Sequence, residues 1–267
     1  MVEVLLLGLG VGILVGLLGV GGGVVLVPAL VYLLHFDQHL AQGTSLLLQL
    51  PPIGLGALLL YRKKGNVDMR AGLTCAAGFF VGGYFGSFLA LGLPSRDLKG
   101  MFGIFLMVAA VLLWRQILTA KPASENSEAP PAASDEANVR PKIPLARLLQ
   151  TFAIACVVGV VGGLFGVGGG ILLVPLLVLL LRFDQHLAQG TSLVALVPPT
   201  GLLALLNYAR AGQVDLRVGL LLMPGVFLGS LAGARLALKL SPRRMRAVFG
   251  VLLFVLGGMQ ALFAWLL

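Results

Sequence analysis

Two short runs of glycine are the residues of this chain best suited to bind a small anion. Each run stands directly before an apolar segment, so its backbone N–H groups can approach a ligand closely. A helix that begins after such a run adds unpaired N–H groups and a favourable dipole. The same glycines could instead serve only a tight turn in a crowded bundle; we interpret them as parts of an anion-binding site. They are Gly21, Gly22, Gly23, Gly168, Gly169 and Gly170.

Neutral polar side chains recur near both glycine runs. Hydroxyl and amide groups donate to anionic oxygens without the cost of burying a lysine in the membrane. Four of these hydroxyls are predicted at helix starts, where they could also act as caps, and both roles can coexist. An amide and a fifth hydroxyl lie beside the helix-breaking pairs Pro51-Pro52 and Pro198-Pro199, where either a cavity or a simple kink would result. The candidate side chains are Thr44, Ser45, Gln49, Thr191, Ser192 and Thr200.

These motifs occur twice because the chain contains an internal repeat. Eleven consecutive residues, Phe36 to Leu46, return unchanged as Phe183 to Leu193 at an offset of 147 positions. Glycines, prolines and short polar residues are shared along with the apolar ones. Transporters made from internal repeats place broken helices at a substrate site between the repeats, and the duplicated motifs predict such a site here.

Composition places both repeats in a membrane. Hydrophobic residues make up 58% of the chain, charged residues 11%, and the mean hydropathy is +1.01, which excludes an ordinary soluble globular domain. A helix needs roughly 20 apolar residues to cross the hydrocarbon. The fold class is therefore an all-α polytopic membrane protein. Its candidate spans are Gln42–Leu60, Ala71–Leu93, Leu98–Leu118, Gln189–Tyr208, Val218–Leu238 and Ala247–Leu267.

Two longer apolar stretches, Val4–Leu34 and Leu148–Leu181, are cut by the glycine runs and allow two topologies. If each crosses the membrane once, the repeats lie parallel and the 19 Lys and Arg residues divide 11 to 8 between the faces. If each is a re-entrant hairpin, the second repeat is inverted and the division is 15 to 4. Because Lys and Arg accumulate in cytoplasmic loops, we favour inverted repeats, each with a glycine-tipped re-entrant or broken helix and three transmembrane helices.

The lengths of the hairpin arms favour the same topology. Val4–Leu18 and Val24–Leu34 are too short to span separately, but each can reach about halfway at roughly 1.5 Å per residue. Two glycine tips would then meet near the midplane. This interpretation divides the chain into a first membrane repeat (1–118), a flexible hydrophilic linker in the cytoplasm (119–144) and a second membrane repeat (145–267).

Other function classes lack the residues that they need. An intramembrane enzyme would require a nucleophile with its base, or a metal cluster. The chain offers only loop histidines and the cysteines Cys75 and Cys156, which we interpret as inert buried thiols. His39 and His186 are candidates for proton coupling or for hydrogen bonds at the membrane interface. No basic patch interleaved with aromatic residues indicates nucleic acid, and neither a cofactor nor a metal is expected.

The combined pattern resembles the sulfite exporter TauE/SafE family of membrane anion transporters, also called the toluene sulfonate uptake permease family. The resemblance is carried, twice over, by Gly-Val-Gly-Gly-Gly, a following Val-Pro, Ala-Gln-Gly-Thr-Ser-Leu, a tyrosine and Gly-Xaa-Val-Asp before a glycine-rich helix. It covers nearly the whole chain except the linker. The resemblance implies transport of sulfite, sulfoacetate or other organosulfonates in the bacterial inner membrane, and it leaves the particular substrate open.

The residues predict a multi-pass secondary transporter of a small anion that works by alternating access between its repeats. The family resemblance implies that this anion contains sulfur, as sulfite or an organosulfonate. No ATP-binding loop is present, so transport would use the substrate gradient or a coupled ion. An anion channel, or a transporter of a non-sulfur small anion, is the alternative. The expected partners are a small anionic substrate and the lipid bilayer. The sequence leaves the direction of transport, the coupling ion and the oligomeric state open.

Overall fold

A computed structural model describes residues 2–18, 22–50, 58, 61–63, 65–119, 145–183, 185–237 and 242–265. Within these ranges the regular structure is helical, without strands. The helices of the first repeat are α1 (Val2–Leu18), α2 (Gly23–Leu33), α3 (Gln38–Leu48), α4 (Met69–Gly92) and α5 (Ser95–Thr119). Those of the second are α6 (Leu145–Phe165), α7 (Gly170–Leu181), α8 (Gln185–Leu196), α9 (Leu202–Arg210), α10 (Leu216–Ala237) and α11 (Pro242–Trp265).

Five of these helices are long and apolar enough to cross a membrane: α4, α5, α6, α10 and α11. Their outer surfaces carry exposed large apolar side chains, for example Phe88 at 67% and Val248 at 68% exposure, as lipid-facing helices do. α6, which precedes the second glycine run, has 21 residues and is long enough to span the membrane by itself, so it is longer than the half-length arm that the sequence predicted. The corresponding α1 has 17 residues.

The predicted spans that contain the proline pairs are not continuous helices. In the second repeat α8 ends at Leu196 and α9 begins at Leu202. The segment Gln189–Tyr208 therefore consists of two short helices rather than one continuous helix. Pro198 and Pro199 lack the N–H groups that would continue the hydrogen-bond ladder, which is why the helix breaks there. In the first repeat α3 ends at Leu48, shortly before the equivalent Pro51-Pro52, which lies outside the described residues.

The helix starts also differ from the prediction. α3 begins at Gln38, so Thr44 and Ser45 lie in its interior, and its N-cap is Asp37, whose Oδ2 accepts a hydrogen bond from the His39 N–H. α8 begins at Gln185, which likewise places Thr191 and Ser192 inside the helix. Asp is among the strongest N-cap residues and can start the helix several residues earlier than a Thr-Ser pair would. The predicted caps were therefore wrong, and these four hydroxyls are available for other bonds.

The two repeats pair crosswise through glycine faces. α4 packs along α6, and α1 packs along α10. A Cβ at Gly82 or Gly86 of α4 would overlap carbonyl oxygens of α6, at Cys156 and Val160. The glycines 147 positions later meet the corresponding part of α1: Gly229 lies against the Leu9 carbonyl and Gly233 against the Ile13 carbonyl. Small residues four positions apart in the sequence predict faces where helices approach closely, and these backbone contacts confirm that prediction.

α5 and α11, which occupy equivalent places in the two repeats, pack against each other in opposite directions. Gly100 near the start of α5 faces Trp265 at the end of α11. Gly250 near the start of α11 faces Trp114 towards the end of α5. Equivalent helices that pair in this antiparallel manner are related by an axis perpendicular to their length.

The second glycine run forms the turn between α6 and α7. Gly166, Gly168 and Gly169 have φ values of 68°, 66° and 65°, in the left-handed region that glycine adopts without strain. Gly162, near the end of α6, packs against Gly168 and Gly169, the residues just before α7. Residues 19–21 of the first run lie outside the described residues.

Candidate functional site

The second glycine tip, Gly166 to Gly169, is held by the first repeat. The carbonyl oxygen of Gly166 accepts a hydrogen bond from the Ser45 hydroxyl at 2.5 Å and another from Gln49 Nε2 at 3.0 Å. The same Gln49 nitrogen lies 3.1 Å from the Ser45 carbonyl oxygen, one helical turn earlier. Two of the residues predicted for the site thus converge on a backbone atom of the opposite repeat.

The first glycine run also contacts the second tip. A Cβ at Gly23, the first residue of α2, would overlap the Gly166 carbonyl and the Cα of Val167. It would also stand 2.9 Å from Gln49 Nε2. Only glycine lets α2 begin against the second tip at this distance. The expectation that the tips meet holds for this contact, although Gly21 itself lies outside the described residues.

A small cavity of about 20 Å³ lies beside the second tip, between α4, α6 and the break before α9. Its side chains are apolar except for Thr200, which is 8% exposed and whose hydroxyl has no hydrogen-bond partner among the described residues. None of the residues that line it is charged. The lining consists of Leu46, Phe79, Gly83, Gly159, Gly162, Gly163, Gly168, Thr200, Gly201 and Ala204.

The electrostatic character of this cavity comes from backbone and neutral groups. α7 begins at Gly170 with Gly169 as its N-cap, directly after Gly168 in the cavity wall. The first N–H groups of a helix have no partner inside the helix, and the helix dipole places partial positive charge there. Gly168 and Thr200 both belong to the cavity wall, and Gly168 lies two residues before the first residue of α7.

A buried tyrosine and glutamine add a contact that the sequence did not identify. Tyr208 is fully buried, and its hydroxyl lies 2.9 Å from Gln42 Oε1 and 3.2 Å from the Gly163 carbonyl oxygen. Gln42 Nε2 is buried without a partner among the described residues. In the equivalent place Tyr61 donates to Gln189 Oε1 at 2.7 Å. The signal was available, because both tyrosines and both glutamines recur at the repeat offset.

The remaining predicted residues lie away from the cavity lining. Thr44 Oγ1 accepts a hydrogen bond from the Asp215 N–H, Thr191 Oγ1 accepts one from the Asp68 N–H, and the Ser192 hydroxyl donates to the Gln189 carbonyl of its own helix. Gly22 caps α2 and faces Leu26 and Val15, while Gly169 packs on the ring of Phe79. The lining therefore includes Gly168 and Thr200 of the predicted set, with Ser45, Gln49 and Gly23 holding the tip.

His39 forms hydrogen bonds at the end of the helix bundle. Its Nε2 donates to the Ala90 carbonyl at 2.8 Å, and its Nδ1 is 3.4 Å from Asp37 Oδ2. Asp37 also accepts a hydrogen bond from the Ser95 hydroxyl at 2.6 Å. Partial burial raises the pKa of the Asp37 carboxyl, but the hydrogen bonds from Ser95, His39 and Gln38 outweigh it, so the pKa lies below its ordinary value.

Comparison with known proteins identifies the family. The family model described as Sulfite exporter TauE/SafE matches residues 4–259, nearly the whole chain. The chain belongs to the TauE/SafE family. The resemblance inferred from the glycine and Gln-Gly-Thr-Ser motifs is thereby confirmed.

Relatives with high coverage support the TauE/SafE assignment. The probable membrane transporter protein YunE of Bacillus subtilis is 30% identical over 263 residues, which is 96% of this chain and 95% of the relative. A probable membrane transporter protein of Xylella fastidiosa strain 9a5c is 30% identical, covering 91% of this chain and 87% of its own length. The probable membrane transporter protein MJ0441 of Methanocaldococcus jannaschii is 26% identical, covering 95% of this chain and 92% of its own length. No solved structure gives a significant match.

Membership in a family of membrane transporters agrees with the apolar helices. The TauE/SafE match spans both repeats, and the five long helices have the length and composition needed to cross a bilayer. The chain is therefore a multi-pass membrane protein of a transporter family.

Proposed function

We propose that this protein is a secondary transporter that moves small sulfur-containing anions, sulfite or organosulfonates, across the inner membrane by alternating access, and that it is not an enzyme. The observation that carries the proposal is the uncharged cavity beside the second glycine tip. It combines a helix start with the unpartnered Thr200 hydroxyl, and a buried lysine or arginine is absent from its lining. Neutral donors can bind an anion and still release it, as a transport cycle requires.

The second part of the proposal is that the repeats have inverted topology. The antiparallel packing of the equivalent helices α5 and α11 supports it, because an axis perpendicular to membrane-crossing helices lies in the membrane plane. The 15 to 4 division of Lys and Arg supports the same arrangement. The stretch Leu148–Leu181, divided at the glycine run into α6 and α7, would then be the glycine-tipped re-entrant or broken helix of the second repeat.

The location of the proposed site supports alternating access. The second tip belongs to one repeat, while Ser45 and Gln49, which hold its Gly166 carbonyl, belong to the other. A rocking movement of one repeat against the other would change these hydrogen bonds and the cavity together. The proposal therefore links substrate binding to the contact that must rearrange during transport.

Binding and flux measurements test this function. Purified protein would be screened by thermal stability against sulfite, sulfate, methanesulfonate, ethanesulfonate, sulfoacetate and acetate, where a ligand at 100 times its Kd adds about 2.7 kcal/mol. Binders would then be measured for uptake into proteoliposomes. We expect stabilisation by sulfite or by a sulfonate, and saturable flux that is accelerated by substrate on the opposite side. Non-saturating conductance would indicate a channel, and selective binding of acetate would refute the sulfur-anion assignment.

A further inference from the structure

The cavity lining departs from the repeat symmetry where space is needed. Gly83 corresponds to Ser230 in the other repeat, and Gly162 corresponds to Val15. Both of these larger residues are buried, at 8% and 7% exposure. The backbone of the second tip packs against Gly162, whereas a Cβ at Gly83 would have its nearest neighbour at 3.8 Å, so the open volume is at Gly83. Val15 Cγ1 would stand 3.6 Å from a Cβ at Gly22, which shows that it packs against the start of α2.

The polar residues of the site are unsymmetrical in the same way. Thr200 in the cavity corresponds to Ile53, and Gln49 at the second tip corresponds to Leu196. The polar residue of each pair therefore lies at the second tip or in the cavity beside it, and the apolar residue lies in the equivalent place of the other repeat. The tips also differ in backbone conformation, because Gly169 has φ of 65° and its counterpart Gly22 has φ of −65°.

Two glycines of the lining are required neither by packing nor by backbone conformation. The nearest atom to a Cβ at Gly83 would be the Ala204 Cβ, at 3.8 Å, and the nearest at Gly201 would be Leu46 Cδ2, at 3.4 Å. Neither residue has a positive φ. Their neighbour Gly82 differs, since a Cβ there would overlap a carbonyl oxygen of α6. A methyl group at position 83 or 201 would mainly take volume from the cavity.

We propose that each chain binds one substrate anion, in the cavity beside the second tip and away from the pseudo-symmetry axis, and that Gly83 and Gly201 set the size of the apolar substituent that the anion carries. This inference rests on the proposed function and specifies its site. The anionic head lies towards Gly168 and Thr200, and the substituent lies against Phe79. In this structure the cavity has room for about one water molecule, so the two repeats must move apart at the second tip before an organic anion enters, as alternating access requires.

Titration calorimetry of the full-length protein with sulfite, methanesulfonate, ethanesulfonate and propanesulfonate tests the inference. We expect one anion per chain for each probe that binds. Gly83→Ala and Gly201→Ala should weaken the largest bound sulfonate by about 10-fold or more, the effect of one methylene group in a filled pocket, and leave the smallest bound probe unchanged. Ser230→Ala is the matched control, because it changes the equivalent position of α10, and it should leave every affinity unchanged.

The possible outcomes separate this inference from the proposed function. Two anions per chain, or a loss in the alanine variants that does not depend on substituent size, would overturn the single size-selecting site while anion binding itself stands. Failure of the wild-type protein to bind any of the four probes would remove the proposed function and this inference together. Size-exclusion profiles and melting temperatures of the two variants establish that they are folded, and either variant alone suffices for the comparison.

Discussion

Thr44 of α3 accepts a hydrogen bond at 3.0 Å from the backbone N–H of Asp215, the residue that precedes α10 in the other repeat. The equivalent residues make the same bond from the second repeat to the first, because Thr191 accepts a hydrogen bond from the Asp68 N–H at 3.1 Å. Asp68 and Asp215 in turn accept bonds from N–H groups in the first turns of α4 and α10. Each repeat thus uses a threonine to complete the start of a long helix in its partner repeat.

We expect Thr44→Val and Thr191→Val to reduce stability rather than substrate affinity. Each change preserves the shape of the side chain and removes the acceptor for one N–H group, and hydrogen bonds between membrane helices contribute about 0.6 kcal/mol on average. Unfolding in mixed micelles would measure the loss, with the double variant close to the sum of the two. A large loss of affinity with unchanged stability would place these threonines in the substrate site instead.

Ser45 and Ser192 should give unequal results although they are repeat equivalents. Ser45→Ala removes the bond to the Gly166 carbonyl at the tip, whereas Ser192→Ala removes only a bond within its own helix. We expect about a 5-fold loss of anion affinity for Ser45→Ala, equivalent to about 1 kcal/mol, and no change for Ser192→Ala. Dissociation constants for the best-bound sulfonate check this. Equal losses in both variants would contradict the assignment of the site to the second tip.

Exchange of each polar residue for its repeat counterpart provides a third test. Gln49→Leu introduces the residue found at position 196, and it removes the bond that Nε2 donates to Gly166. Thr200→Ile introduces the residue found at position 53 and removes the hydroxyl from the cavity. Thr200→Ile should lower affinity by about 10-fold or more, the range for a lost bond to a charged ligand. Gln49→Leu should lower it by about 5-fold, as expected for Ser45→Ala, because both lose a bond to the neutral Gly166 carbonyl.

The reverse exchange serves as the control for these variants. Leu196→Gln adds an amide at the equivalent position of α8, where the cavity does not extend, and it should leave binding unchanged. Thr200→Val keeps the volume of the side chain and separates the effect of the hydroxyl from that of size. Full affinity in Thr200→Val would show that this hydroxyl makes no contact with the anion.

Single cysteines on the two equivalent loops test the inverted topology. Lys63 lies between α3 and α4 in the first repeat, and Ala211 directly follows α9 in the second. Both native side chains are exposed, and each would be replaced by cysteine (Lys63→Cys and Ala211→Cys). In a background where Cys75 and Cys156 are replaced by alanine, we expect a membrane-impermeant maleimide to label the two positions from opposite faces. Lys63→Cys should be the cytoplasmic one. Labelling of both from the same face would exclude inverted repeats.

Much of the architecture follows from residue types that leave the backbone few choices. Gly82 and Gly229 were assigned to helix packing because small residues at this spacing allow close approach, and both lie against carbonyl oxygens of the facing helix. The break at Pro198-Pro199 followed from the missing N–H groups. The caps were misassigned because Asp37 and the Thr-Ser pair are both competent helix starters, and local sequence does not decide between them.

The asymmetry of the site was harder to infer from the repeat. An exact motif copy, such as Gln-Gly-Thr-Ser, suggests equal roles, but Ser45 reaches the opposite tip while Ser192 bonds within its own helix. The difference depends on tertiary packing around Gly166, which the local motif does not encode. The contrast between Gln49 and Leu196 was visible in the alignment of the repeats, and such departures from the copy are the better guide to the site.

The crosswise pairing of α1 with α10 and of α4 with α6 constrains the order in which the protein assembles during synthesis. The glycine face of α1 remains without its partner until translation has passed Leu216, more than three quarters of the way along the chain. α4 waits for α6, which follows the long connection after Thr119. The first repeat therefore enters the bilayer with two incomplete helix contacts, and its folding is finished only when the second repeat arrives.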